Sequence, residues 1–231
     1  MDYIFNGFLK AVELLASGNP ETYSAVFTSL KVTSLSIASS LIVGIPLGFM
    51  LGYFDFTGKR QVRAVVDTLL ALPTVVVGLL VYAFISRRGP MGELGLLFTI
   101  PGIAAAQTIL ITPIVISLTA TAIESLDRRL GMTLIALGAR GRQIIVASLL
   151  EARYAVLIAV VTAYGRAISE VGASMMIGGN IKWHTRTITT AIALETGKGE
   201  FALGIALGIV LLSLALFLNF LLMFLKRRRI A

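Results

Sequence analysis

The chain has 231 residues, 57% of them hydrophobic and only 14% charged, whereas soluble domains are about 45–50% apolar and about 25% charged, so a water-soluble domain is excluded. Cysteine is absent and His184 is the one histidine, which rules out disulfides, thiol chemistry and Cys- or His-clustered metal sites. The formal net charge of +8 reads, for a chain this apolar, as Lys and Arg retained on the cytoplasmic face of a membrane rather than as a nucleic-acid surface.

Residues 1–26 form the first segment. Asp2, Lys10 and Glu13 interrupt it and no long apolar core is present, so it reads as retained rather than as a cleaved signal. Residues 1–22 are expected to form an amphipathic helix at the outer surface that ends near the Ser-Gly-Asn-Pro at 17–20. A frayed tail and an interfacial helix are both compatible with it. Five apolar blocks follow, at about 27–51, 64–85, 96–123, 144–171 and 201–225. A bilayer core takes about 20 residues of helix to cross. Alternation of period two is not sustained in these blocks, and backbone groups in lipid must be satisfied within their own segment. The expected fold class is therefore an all-α polytopic membrane protein with five transmembrane helices.

The blocks are not uniformly apolar. The first carries Ser34, Ser36, Ser39, Ser40, Gly44 and Pro46, and the third carries Gln107, Thr108, Thr112 and Pro113. Such residues serve close helix packing or line a polar path, and the pattern alone leaves both open. Basic residues set the orientation. Lys59, Arg60 and Arg63 follow the first block, Arg128, Arg129, Arg140 and Arg142 follow the third, and the tail 226–231 opens with Lys-Arg-Arg-Arg. With five spans these regions share one side, which the positive-inside rule makes cytoplasmic. The N-terminus is then outside and the C-terminus inside, although Arg87, Arg88, Lys182, Arg186 and Lys198 fall on the outer side. Lys31 is expected to snorkel, Trp183 beside His184 to anchor at the interface, and Asp67 and Glu124 to be solvated or paired with loop arginines.

The loop at 127–143 is too polar at its start to span and too apolar in its middle to be disordered. "LGMTLIALGA" reads as a short helix that Gly138 breaks, followed by a cationic turn at Arg140–Gly141–Arg142. Such a helix lies in the headgroup region or slots into a partner. In the fourth block Arg166 and Glu170 stand four residues apart and share a helix face. Charges within a span face an interior or water, as a structural ion pair or as part of a path.

The stretch "IALGARGRQIIVASLLEARYAVL" resembles the EAA loop of membrane subunits of ABC-type importers, with Ala136, Gly138 and the run 144–150 at the motif's positions. Where that motif ends in Leu-Pro, this chain has "LLEAR". A second stretch, "GRAISEVGASMMIGGNIKWHTRTITTAIALETGKGEFALGIALG", closely resembles permeases of the tungstate and molybdate type, the tungstate subtype above all. "LPTVVVGLLVY" and "SRRGPMGELGLLFT" fit that subtype too, and the likeness runs from about residue 30 onward.

The resemblance implies the five-helix core of a type I ABC importer permease, with 127–143 as its coupling loop. It implies no catalytic residues in this chain, which indeed lacks a GxxxxGK[ST] phosphate loop. ATP and Mg would be bound by a separate cytoplasmic ATPase dimer. The other implied partners are a second copy of the chain, an extracytoplasmic tungstate-binding protein and membrane lipid. Ala136, Leu137, Gly138, Ala139 and Arg140 are the expected ATPase-coupling residues. A path lined by hydroxyls and backbone dipoles passes a doubly charged anion better than an uncompensated cation. Ser169, Ser174, Gly178, Gly179 and Asn180 are therefore expected at an outer gate, with Arg166 and Glu170 beside them. The alternatives are the same architecture carrying molybdate, sulfate or another solute, and, more distantly, an ATP-independent channel or secondary transporter.

Overall fold

The computed structural model describes residues 2–230, except the side chains of 2–4, 7, 11, 15, 128, 218, 219 and 221–230. The side chains of the basic tail therefore lie outside the described residues, as do Met1 and Ala231. The described chain is helical throughout: α1 Asp2–Ala16, α2 Pro20–Tyr53, α3 Lys59–Leu69, α4 Thr74–Ile85, α5 Ile100–Glu124, α6 Arg128–Ala136, α7 Gly141–Glu151, α8 Arg153–Ile168, α9 Gly172–Gly178, α10 Ile188–Gly197 and α11 Phe201–Ile230, with a 3-10 turn at Gly92–Leu94.

Local chemistry explains most boundaries. Asn19 caps α2 by accepting from the Thr22 amide at 3.1 Å, and Pro20 opens the helix where a missing N–H costs nothing. This start precedes the expected one, so residues 20–26 belong to the first long helix rather than to the N-terminal segment. Thr99 caps α5 in the same way, accepting from the Gly102 amide at 3.1 Å.

By length and apolarity α2 and α5 each suffice to cross a bilayer. Two further expected spans are broken. The block at 64–85 is two helices, α3 and α4, bent by 93°. The break falls before Pro73, whose ring disfavours helical geometry at the preceding residue. The block at 144–171 is α7 and α8, bent by 67° around Ala152. It then stops at Ile168 instead of continuing to 171. The fifth block lies within α11, of which Phe201–Phe217 is an apolar stretch.

The tightest seam is α2 against α5. Gly44, Gly48 and Gly52 recur at every fourth residue and so share one face. A Cβ at these positions would lie 2.6 Å from Val115 Cγ1, 2.7 Å from the Ile116 carbonyl oxygen and 2.6 Å from the Ala120 carbonyl oxygen. The glycines thus let the two backbones meet, the usual use of small residues between membrane helices. Replacing Gly48 with Ala pushes a methyl onto a carbonyl that cannot yield, and overpacking of this kind costs about 1–3 kcal/mol. Equilibrium unfolding in mixed micelles reads that loss; an unchanged midpoint would show that the seam is looser than described.

Around this seam, α4 and α9 pack with the N-terminal halves of α2 and α5 through Val32, Val77, Val81, Ile103 and Ile177. The segment α10–α11 closes on the start of α2 through Ala25, Ile188, Leu207 and Val210. The N-terminal helix α1 rests on α11, with Leu14 against Ala206. At the other end of the bundle Arg63 pairs with Asp67 and Glu124, both at 3.4 Å, and Lys59 also reaches Glu124. The two acids are thus held by basic residues, as one of the two sequence readings had it.

Candidate functional site

The first constellation is the loop between α5 and α7. Asp127 caps α6, accepting from the Arg129 amide at 2.9 Å. The helix ends at Gly138, whose φ of 78° is left-handed. There the Gly138 amide donates to the Ile135 carbonyl and the Ala139 amide to the Leu134 carbonyl, both at 2.9 Å. That pair of bonds is a Schellman stop, which favours glycine at its left-handed position. The expected cationic turn is different in detail. Arg140 is the N-cap of α7, its amide donating to Gln143 Oε1 at 2.7 Å, and Gly141 and Arg142 already lie in the first helical turn.

This hairpin turns an apolar ridge outward. Met132, Ile135 and Leu137 are 63%, 62% and 78% exposed, and Ala136, Gly138 and Arg140 are exposed with them. No atom lies within 4 Å of a Cβ built on Gly138. Two open grooves flank α6. One of about 620 Å³ is lined by Asp127, Arg129, Glu151 and Arg153; the other, of about 540 Å³, by Tyr53, Lys59, Glu124 and Met132. The bend from α7 into α8 falls on the "LLEAR" stretch, where the Arg153 guanidinium donates to the Leu150 carbonyl at 2.7 Å.

The second constellation runs from Arg166 to Asn180. Arg166 and Glu170 do pair, Nη1 to Oε2 at 3.1 Å, but Glu170 stands beyond the end of α8 rather than on it. Ser169 is the exposed C-cap of α8, its hydroxyl donating to the Arg166 carbonyl at 3.0 Å. Ser174, Gly178 and Asn180 are buried. Asn180 sits at φ 52°, donates to the Thr190 carbonyl at 3.2 Å and accepts from the Thr190 hydroxyl at 3.0 Å. Gly179 is left-handed at φ 65°, and a Cβ there would lie 2.7 Å from the Phe98 ring. The segment 172–180 is thereby wedged between α5 and α10.

One side chain joins these parts, and its sequence context marks it only as a polar residue in a span. Gln107, buried in α5, accepts from the Ser36 hydroxyl at 2.9 Å. It donates to Ser174 Oγ at 3.2 Å and to the Ala167 carbonyl at 3.4 Å. A buried amide in hydrocarbon must find partners, and here they come from α2, α8 and α9 together. A second cluster tethers the end of the bundle where α2 begins. Arg186, 6% exposed, reaches Glu21 at the start of α2 and Glu195 in α10, while Lys182 also pairs with Glu21 and Lys198 with Glu195. The only sequence signal for this cluster is that Lys182, Arg186 and Lys198 fall on the side expected to carry the smaller share of positive charge.

The family described as "Binding-protein-dependent transport system inner membrane component" matches residues 44–231. The chain is 48% identical over 227 residues to the tungstate uptake system permease protein TupB of Campylobacter jejuni subsp. jejuni, covering 98% of this chain and 95% of that protein. It is 42% identical to the TupB of Peptoclostridium acidaminophilum, over 95% and 96% of the two chains. It is 33% identical to the molybdenum transport system permease protein ModB of Escherichia coli K12, over 79% and 83%. Among solved structures, an inward-facing MetNI methionine ABC transporter superposes with a TM-score of 0.74 at 18% identity, covering 90% of this chain and 95% of that one. A bacterial alginate ABC transporter superposes with a TM-score of 0.71 at 19% identity, covering 94% and 82%. At these identities the structural likeness speaks to the fold, that of type I ABC importer permeases.

Proposed function

Since the chain belongs to the family of binding-protein-dependent transport system inner membrane components, we propose that it is the permease subunit of an ATP-driven importer and that it carries tungstate by alternating access. The observation that carries the substrate is the 48% identity to a tungstate permease across 98% of the chain. Identity falls to 33% with a molybdenum permease and to 27% with a sulfate permease, which supports tungstate over those ions. The chain is a multi-pass membrane protein and a transport subunit of a complex with an ATPase and a binding protein. In the proposed complex two copies of it form the pathway. A cytoplasmic ATPase dimer binds ATP and Mg, and a tungstate-binding protein docks outside. The N-terminus is outside and the C-terminus cytoplasmic.

The outward ridge of α6, with Ala136 to Arg140 at its end, seats in a groove of the ATPase. Closure of the ATPases on ATP displaces that ridge. The α7–α8 bend carries the displacement to the end of α8, where Arg166, Ser169 and Glu170 meet the wedged segment with Ser174 and Gly178–Asn180. These residues form the gate in this reading, and the hydrogen bonds of Gln107 to α8 and α9 support it by tying the segment to the path's wall. The test is reconstitution of the permease in liposomes with its ATPase and binding protein. Tungstate uptake is expected only with ATP and with both partners, and molybdate is expected to compete weakly. Uptake of equal rate without ATP would sink the importer and favour a channel or secondary transporter.

A further inference from the structure

Two helix breaks face each other at the edge of the bundle, where Leu69, Leu70 and Arg166 are exposed. Leu69, Leu70 and Leu72 at the α3–α4 break line one side of a cavity, and Arg166 and Glu170 at the α8–α9 break line the other, with Gln107 in its wall. The cavity holds about 20 Å³, room for a single water. A tetrahedral oxyanion does not fit it; if these residues form the gate, as proposed, the cavity must widen for one to pass.

The two partners of the ion pair belong to different bodies. Arg166 ends α8. Its side chain is 48% exposed, and among the described residues its guanidinium makes one hydrogen bond, to Glu170. Glu170 is 4% exposed and is bound to the outer elements: its Oε1 accepts from the Ala173 amide of α9 at 3.1 Å, and its backbone carbonyl accepts from Thr189 in α10 at 2.8 Å. The helices α4 and α9 are locked together, since a Cβ on Gly78 would lie 2.9 Å from Ala173 Cα and one on Gly172 would lie 3.0 Å from Thr74 Oγ1. The pair therefore spans the joint between α8 and the unit α4–α9, and a displacement of α9 away from α8 that carries Glu170 with it separates the two side chains.

Resting on the importer reading, we infer that Arg166 is a contact for the transported oxyanion and that Glu170 is its built-in competitor. In the closed joint the Glu170 carboxylate satisfies the guanidinium. When the joint opens, the planar guanidinium fork is free to bind the oxyanion, a geometry suited to tetrahedral anions. On closing, Glu170 returns from a fixed position a few ångströms away, at high effective concentration, and displaces the anion onward. Glu170 makes binding by Arg166 transient; without it no carboxylate stands by to take the guanidinium back from the dianion.

The experiment uses the reconstituted permease–ATPase complex with tungstate as probe, measuring both uptake and the tungstate retained by the detergent-solubilised complex without binding protein. Glu170→Gln is expected to raise retained tungstate and lower uptake by about tenfold each, the scale of one charge-assisted hydrogen bond. Glu170→Asp, which keeps the charge and is the safer fold, shifts both in the same direction by less. Arg166→Gln combined with Glu170→Gln abolishes the retention and recovers part of the uptake. A purely structural pair lowers thermal stability without raising retention. Retention equal to wild type in whichever Glu170 variant folds, with wild-type uptake intact, overturns the competitor role. Absence of ATP-dependent uptake in the wild type overturns the importer reading instead.

Discussion

Replacing Arg186 with Met is expected to lower the stability of the folded chain by about 3 kcal/mol, the low end of what breaking a buried ion pair costs. Arg186 is 6% exposed, and its Nη1 lies within ion-pair distance of both Glu21 and Glu195. Removing the cation leaves Glu195, whose side chain is only 9% exposed, with Lys198 as its remaining partner at 3.1 Å. The retained lysine is why the low end applies. The cost comes from the stranded carboxylate rather than from the lost attraction, because two well-packed neutral residues can replace a buried pair at little cost. The companion variant Arg186→Met with Glu195→Gln should therefore recover much of the loss. Unfolding in mixed micelles measures both; a single variant as stable as the wild type, or a double variant less stable than the single, would refute the account. Because Arg186 ties the start of α2 to α10, the same variant should also raise proteolysis in the segment 181–187.

Substituting Gly138 tests the other end of the molecule, and here activity moves while stability hardly does. The left-handed φ of 78° is reached freely by Gly, tolerably by Asn, and poorly by β-branched residues. The local penalty for a side chain is about 1–2 kcal/mol, and no neighbour within 4 Å adds a clash. The hairpin can relieve that strain by re-aiming α6, because Met132, Ile135 and Leu137 make up an exposed ridge. Gly138→Val is thus expected to cut ATP-dependent uptake by tenfold or more, since about 1.4 kcal/mol of misplaced docking already costs a factor of ten. Gly138→Asn should retain most of the uptake. Melting temperatures of both variants should stay close to wild type. Full uptake by the Val variant would remove Gly138 from the coupling role.

Much of this protein was legible before any coordinates. Burial in a bilayer is a property of composition, and the apolar blocks announce their helices because lipid offers a backbone no other partner. The stop at Gly138 is equally local, depending on residues within a few positions of one another. The short helix before Gly138 was therefore legible, whereas the expected cationic turn after it proved to be the start of α7, where Gln143 accepts from the Arg140 amide. The resemblance to oxyanion permeases was legible for the same reason, since it resides in contiguous stretches.

The contacts inside the bundle were not legible in that way. Periodicity could place Arg166 and Glu170 four residues apart but not detect that α8 ends between them, because the break depends on α9 being wedged against α4 and α5. Hydropathy ran through the bend before Pro73 because both sides of it are apolar, and through the bend at Ala152 because Glu151 and Arg153 are only two charges in a long apolar block. Gln107 reads as one polar residue among many until Ser36, Ala167 and Ser174 are brought to it. Arg186 reads as a loop charge until Glu21, 165 positions away, closes on it. What each segment can bear in lipid is set by its own side chains and can be read without its neighbours. Which buried polar groups meet was decided only by the tertiary structure, because each must find its partner on another helix and hydropathy carries no record of the pairing.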